Sequence, residues 1–203
     1  MLFKNKKFLA FAVAFALTGL VAPVNAYPPG MPLTATLTPD IITPLTGKST
    51  LSVTHAKPDE LLTYKVGASP AIQTRQAGSF STVLKSLKSG IYNITISSPV
   101  APKVQDEAKV VTLYVPAMTV PKSGKIKSKT IVKIKFTKPG TIVSVLPIVK
   151  KRMKKRAFYK VGARATSATI TIPANTFVKG TANAIKVIIG NKVLVTQFKF
   201  TGK

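Results

Sequence analysis

The chain of 203 residues has no cysteine, no tryptophan, one histidine and five carboxylates, none of which lies beyond Glu107. Without cysteine there are no disulfide staples and no lipidated cysteine, so folding has to rest on apolar burial alone. A lone histidine, His55, with no cysteine beside it leaves no ligand set for zinc or another transition metal, and no cofactor is expected. Acid–base hydrolysis needs two carboxylates converging in a cleft, and only Asp40, Asp59, Glu60, Asp106 and Glu107 are available. His55 and Asp59 lack the Gly-x-Ser-x-Gly frame that presents a nucleophilic serine, so a catalytic triad is not expected and the chain reads as a non-enzyme. Asp59-Glu60 and Asp106-Glu107 fall in predicted loops, where solvated charge is the plain reading and weak calcium binding the sharper one.

Long apolar runs are also missing, except at the beginning. Lys4, Lys6 and Lys7 precede an uncharged run from Phe8 to Val21, then Pro23 and a small-residue site with Val24 and Ala26 at its two determining positions. This is the layout of a secretory signal peptide, with cleavage expected after Ala26. A helix over that run would rise about 21 Å, short of the ~30 Å hydrocarbon core it would have to cross. Residues 1–26 are therefore read as a signal-peptide helix and residues 27–32 as a disordered lead. No sorting tail and no transmembrane segment are expected in the mature chain, which should be secreted, extracellular or cell-wall associated.

What the rest of the chain does have is period-two alternation, in short runs separated by Pro, Gly, Ser and Lys clusters, which is an all-β signature. Strands are expected over residues 33–38, 50–54, 61–66, 72–75, 79–84, 91–97 and 110–115. A second set is expected over 130–136, 141–149, 156–161, 168–172, 184–189 and 192–200. No window keeps a helical apolar stripe, so helix should be nearly absent from the mature part. The boundary falls in the Pro116 to Pro121 region and divides the chain into units 33–117 and 118–203, each large enough for one β-sandwich core. Gly190-Asn191 between apolar runs is a hairpin signal, and Tyr-Lys-Val-Gly-Ala recurs at residues 64–68 and 159–163, a hint of duplication.

The segment Leu87-Lys-Ser-Gly-Ile-Tyr-Asn-Ile-Thr-Ile96 resembles the penultimate strand of bacterial immunoglobulin-like domains, where Gly-x-Tyr precedes an alternating strand and the tyrosine closes the corner before it. Tyr92 is the matching residue. In the second unit Asn183-Ala184-Ile185 stands where the tyrosine would fall. The layout as a whole resembles small secreted or cell-surface bacterial proteins with tandem immunoglobulin-like domains. That resemblance implies two tandem immunoglobulin-like β-sandwiches after the signal-peptide helix, and an adhesive, binding or structural role.

Charge is the feature that exceeds background. From Tyr27 to Ala117 there are 8 Lys and Arg against 5 acids, whereas residues 118–203 hold 20 Lys and Arg and no acid. Those cations cannot be neutralised within their own unit, so it repels itself and attracts polyanions from a distance. Two substructures stand out. Lys125, Lys127, Lys129, Lys133 and Lys135 alternate with apolar residues and are expected to form a lysine stripe on one exposed strand face. Lys150, Lys151, Arg152, Lys154, Lys155 and Arg156 lie between two strand runs and are expected at a hairpin tip or loop. The partners this implies are an anionic cell-wall polymer, an acidic polysaccharide or an anionic lipid surface. Extracellular nucleic acid is the alternative.

Overall fold

Alternation between β-branched residues and polar ones sets the strand faces. In Thr130–Lys135 the pattern is strict, with Val132 and Ile134 buried and Ile131, Lys133 and Lys135 exposed. The computed structural model describes residues 33–54, 61–97, 108–190 and 194–202. The signal-peptide and lead expectations, His55, Asp59, Glu60, Asp106, Glu107 and Asn191 lie outside these residues.

The first set of strands is β1 (Thr34–Thr38), β2 (Lys48–Thr54), β3 (Leu61–Val66), β4 (Ile72–Ala77), β5 (Phe80–Lys85), β6 (Gly90–Ser97) and β7 (Ala108–Val115). The second is β8 (Ala117–Thr119), β9 (Ser123–Gly124), β10 (Thr130–Lys135), β11 (Ile142–Val149), β12 (Arg152–Met153), β13 (Ala157–Lys160), β14 (Ser167–Ile172), β15 (Asn183–Ile189) and β16 (Leu194–Gly202). No helix occurs among the described residues.

Strands β1-β2-β5 form one sheet and β4-β3-β6-β7 the sheet that faces it. In the second set β8-β10-β14 face a sheet of order β11-β15-β16-β9, with β12 and β13 pairing the free side of β11. Counting the short β9 and β12 as additions, both sets have the same plan. The first, second and fifth strands face the third, sixth and seventh, and the fourth joins the third. This is the Greek-key order of immunoglobulin-like sandwiches. The fold is all-β, two such sandwiches in series.

Each sandwich has its own core. Leu51, Leu62, Ile94, Ile96, Leu113 and Val115 are fully buried in the first, and Val132, Val143, Val145, Ile172, Ile185 and Val187 in the second. Fully burying one such side chain contributes roughly 1.5–3 kcal/mol, and in a chain without disulfides this is the main source of stability.

The expected tyrosine corner is present. The Tyr92 hydroxyl donates to the Lys88 carbonyl at 2.9 Å, four residues upstream, at the start of β6. The second sandwich closes the same corner with a shorter side chain. Asn183 stands two residues before the fully buried Ile185, as Tyr92 stands two before Ile94. The Asn183 Nδ2 donates to the Val178 carbonyl at 3.0 Å while Thr181 Oγ1 bonds its Oδ1 at 3.2 Å. An amide thus replaces a phenol at one topological position.

The two Tyr-Lys-Val-Gly-Ala copies are not structurally equivalent, in keeping with the longer insertion before the second: Tyr64 lies on the third strand of its sandwich and Tyr159 on the fourth. One expectation needs correction. The lysine stripe is not continuous. The Ser128 amide bonds the Lys125 carbonyl at 3.0 Å, so residues 125–129 form a turn, and only Lys133 and Lys135 lie on a strand. Three short strands, β8, β9 and β12, carry too few residues to show a period.

The joint between the sandwiches is the single residue Pro116, between β7 and β8. Residues Asp40 to Ile42 run beside β7, exchanging backbone bonds with Tyr114: Ile42 N to Tyr114 O at 3.0 Å, and Tyr114 N to Asp40 O at 2.9 Å. Consecutive side chains of this segment then serve different cores. Ile42 is buried in the first and Ile41, 8% exposed, in the second. The Asp40 carboxylate accepts from Lys138 Nζ at 2.5 Å. The segment acts as a clasp between the two sandwiches.

Candidate polyanion-binding surface

Strand direction decides where the cations gather. Lys138, Gly140, Ile142 and Gly190 meet Asp40 and Ile41 at the joint. The end of β10, the start of β11 and the end of β15 therefore face the first sandwich. The opposite ends carry the 125–129 turn, the 150–156 segment and the loops after β14. Nine of the eleven cations singled out from the sequence, Lys125, Lys127, Lys129, Lys150, Lys151, Arg152, Lys154, Lys155 and Arg156, thus belong to segments at the end of the second sandwich remote from the joint, and all nine are exposed. Lys133 and Lys135 do not. They lie on the outer face of β8-β10-β14, where Lys133 is flanked by Thr169 and Thr119.

The 150–156 segment is a true hairpin tip. Val149 pairs Arg152, which leaves Lys150 and Lys151 as a two-residue turn, with φ of 48° and 64°. Two positive φ values are the signature of the turn type whose twist matches a hairpin, and Asn-Gly is its favoured sequence. Lysine at both positions is strained by about 1–2 kcal/mol per residue, because Cβ crowds the carbonyl. The Lys150 amide bonds the Ala182 carbonyl at 3.0 Å, fixing the tip to the loop before β15. Replacing Lys150-Lys151 by Asn-Gly is expected to raise the urea midpoint, with a gain of about 1 kcal/mol, while reducing affinity for polyanions. An unchanged or lower midpoint would show that the turn is not strained.

Beyond the turn, Ile148 pairs Met153 and Val145 pairs Ala157, so three residues on one strand face two on the other. The extra residue makes a bulge, held by the Lys154 amide on the Pro147 carbonyl at 2.8 Å. The bulge carries Lys154, Lys155 and Arg156 out of the ladder. The Arg156 guanidinium lies 5.7 Å from the centroid of the Phe158 ring, which is 66% exposed. Sequence reading places most aromatics of this half in the core. Phe177 is buried, but Phe158 and Tyr159 are exposed.

The bulge borders a cleft of about 420 Å³, closed on the other side by Thr171, Pro173, Asn175 and Thr176. Sequence reasoning did not single out these four residues. Thr130 pairs Ile172, so the turn before β10 and the loop after β14 share one end of the sheet, and the Asn175 amide bonds the Ile126 carbonyl at 2.8 Å. Only the strand pairing reveals that neighbourhood. Among the described residues no group of three or more His, Cys, Asp or Glu comes together in a way that could hold a metal ion.

No family model matches the sequence, and no curated protein matches it. Solved structures superpose at low identity. The chain matches a biofilm-associated protein's BSP domain at 20% identity and a TM-score of 0.31, over 84% of this chain and 29% of that one. It matches the fibronectin(III)-like modules of Clostridium thermocellum CbhA at 11% and 0.31, over 84% of this chain and 94% of that one. For the D0-D1 domain of intimin the values are 12% and 0.30, over 84% and 98%. The chain spans less than a third of the first of these.

Proposed function

We propose that this is an exported, non-enzymatic attachment protein, released from its leader after Ala26, whose second sandwich holds an anionic surface polymer while the first serves as spacer. Its two modules are the sandwiches on either side of Pro116, one residue before the 117/118 boundary read in the sequence. The observation that carries this reading is the gathering of nine exposed cations at one end of a module that contains no acid. Near an anionic surface each Lys or Arg contributes on the order of 1 kcal/mol, enough collectively to retain the protein there. Wall polymer, acidic polysaccharide and anionic lipid headgroups all offer the required charge. The leader pattern and this surface together support a secreted or wall-associated location.

Exposed Phe158 and Tyr159 beside the basic hairpin favour extracellular nucleic acid as the second reading, since rings are the platforms on which unpaired bases stack. Cosedimentation of residues 27–203 with bacterial cell walls, before and after chemical removal of their anionic polymer, separates the two. The proposal predicts retention at low salt on intact walls only, not relieved by nuclease. Equal retention on stripped walls would contradict it, and release by nuclease would favour the second reading.

A further inference from the structure

The attachment surface has an internal division that composition does not show. The cleft of about 420 Å³ falls within the size range of small-ligand sites, roughly 300–1,000 Å³. It is lined by Lys154, Lys155 and Arg156, by the apolar Ala157 and Pro173, and by Thr171, Asn175 and Thr176, which add hydroxyl and amide groups. Thr176 Oγ1 already donates to the Pro173 carbonyl at 2.7 Å, so its lone pairs remain to accept from a ligand. Asn175 has φ of 59° and its backbone amide is tied to Ile126, which holds the residue in place and leaves its side chain free of that task. No aromatic ring lines the cleft.

A flat lipid surface cannot enter a concave site, and a base would find no ring to stack on. Charge-assisted bonds from three neighbouring cations, neutral hydrogen-bonding groups and the apolar Ala157 and Pro173 together suit a sugar ring that carries an anionic substituent. We propose that this cleft binds one acidic sugar unit of an anionic glycan, and that the 125–129 turn, joined to it through Asn175, extends contact to the neighbouring unit. This rests on the polyanion reading above. Lys133 and Lys135, on the outer face of β8-β10-β14, play no part in it.

Calorimetric titration of residues 27–203 with an oligogalacturonate tests the assignment, alongside phosphatidylglycerol vesicles and single-stranded oligo-dT. The triple variant Lys154→Ala, Lys155→Ala, Arg156→Ala is expected to lose roughly 100-fold in oligogalacturonate affinity. Asn175→Gly, which keeps the left-handed backbone and removes the amide, is expected to lose roughly 3- to 10-fold. Lys133→Ala, Lys135→Ala together should change it by less than about 2-fold, being remote and screened. Equal loss per charge in the triple and the double variant, with Asn175→Gly silent, would leave general polyanion binding standing and overturn the cleft. Tight binding to vesicles or oligo-dT with none to oligogalacturonate would overturn the glycan assignment. No binding to any of the three probes at low salt would instead remove the polyanion reading itself.

Discussion

Truncating Ile41 to alanine is expected to destabilise the protein by about 2–5 kcal/mol, the range for large aliphatic residues lost from a core. The substitution removes a side chain that reaches from the first sandwich into the core of the second, while Ile42 stays in its own. For a chain of this size 1 kcal/mol moves the transition by about 2–4 °C, so the effect is easily read in a thermal scan. Two transitions should also separate where the wild type is expected to unfold in one, because the clasp couples the cores. Asp40→Asn is the control. Its ion pair with Lys138 joins two side chains 39% and 48% exposed, and pairs of that kind contribute about 0–1 kcal/mol. If Ile41→Ala costs no more than Asp40→Asn, the sandwiches do not depend on each other through this segment.

The second large effect concerns the hairpin. Changing Lys150, Lys151, Arg152, Lys154, Lys155 and Arg156 to glutamine removes six exposed cations from the end of a module that has no acid to pair with them. At about 1 kcal/mol each near an anionic surface, affinity for a polyanion at low salt should fall by two to four orders of magnitude. Folding stability should hold or rise, because like charges repel in the native state. That opposite movement separates a binding role from a structural one. Parallel loss of stability and binding would mean that the hairpin cations support the fold.

Much of this architecture is legible in the sequence, for one physical reason. Strands with one buried face must alternate, and from Thr130 to Lys135 or Asn93 to Ser97 the alternation is clean enough to give the element and its inner face. The Gly-x-Tyr signature carries its own mechanism, and Tyr92 bonds the backbone as that mechanism requires. Asn183 shows the limit of such a signature. A different side chain does the same work, and only its bond to Val178 reveals the equivalence.

Alternation also misled. Lys125, Lys127 and Lys129 continue the period of β10 backwards, yet the Ser128 to Lys125 bond folds them into a turn. A period is not a strand when Gly and Ser interrupt it. The shared pentapeptide is weak evidence for a related reason, since five residues do not fix a place in the Greek key. The cleft was not legible at all. Its two walls are brought together by pairing between strands distant in sequence, and no local pattern encodes that.

Lys138 has Asp40 as its partner, but the nine cations at the end remote from the joint must draw a counter-charge from outside the polypeptide if they bind as proposed, and a salt series on the wild-type mature chain addresses this most directly. Affinity for a purified anionic wall polymer should fall linearly on a log–log plot against salt, with a slope of about −4 or steeper if six or more cations displace counterions. A flat plot, or no detectable affinity at the lowest salt, would contradict it and leave those lysines as a device for solubility.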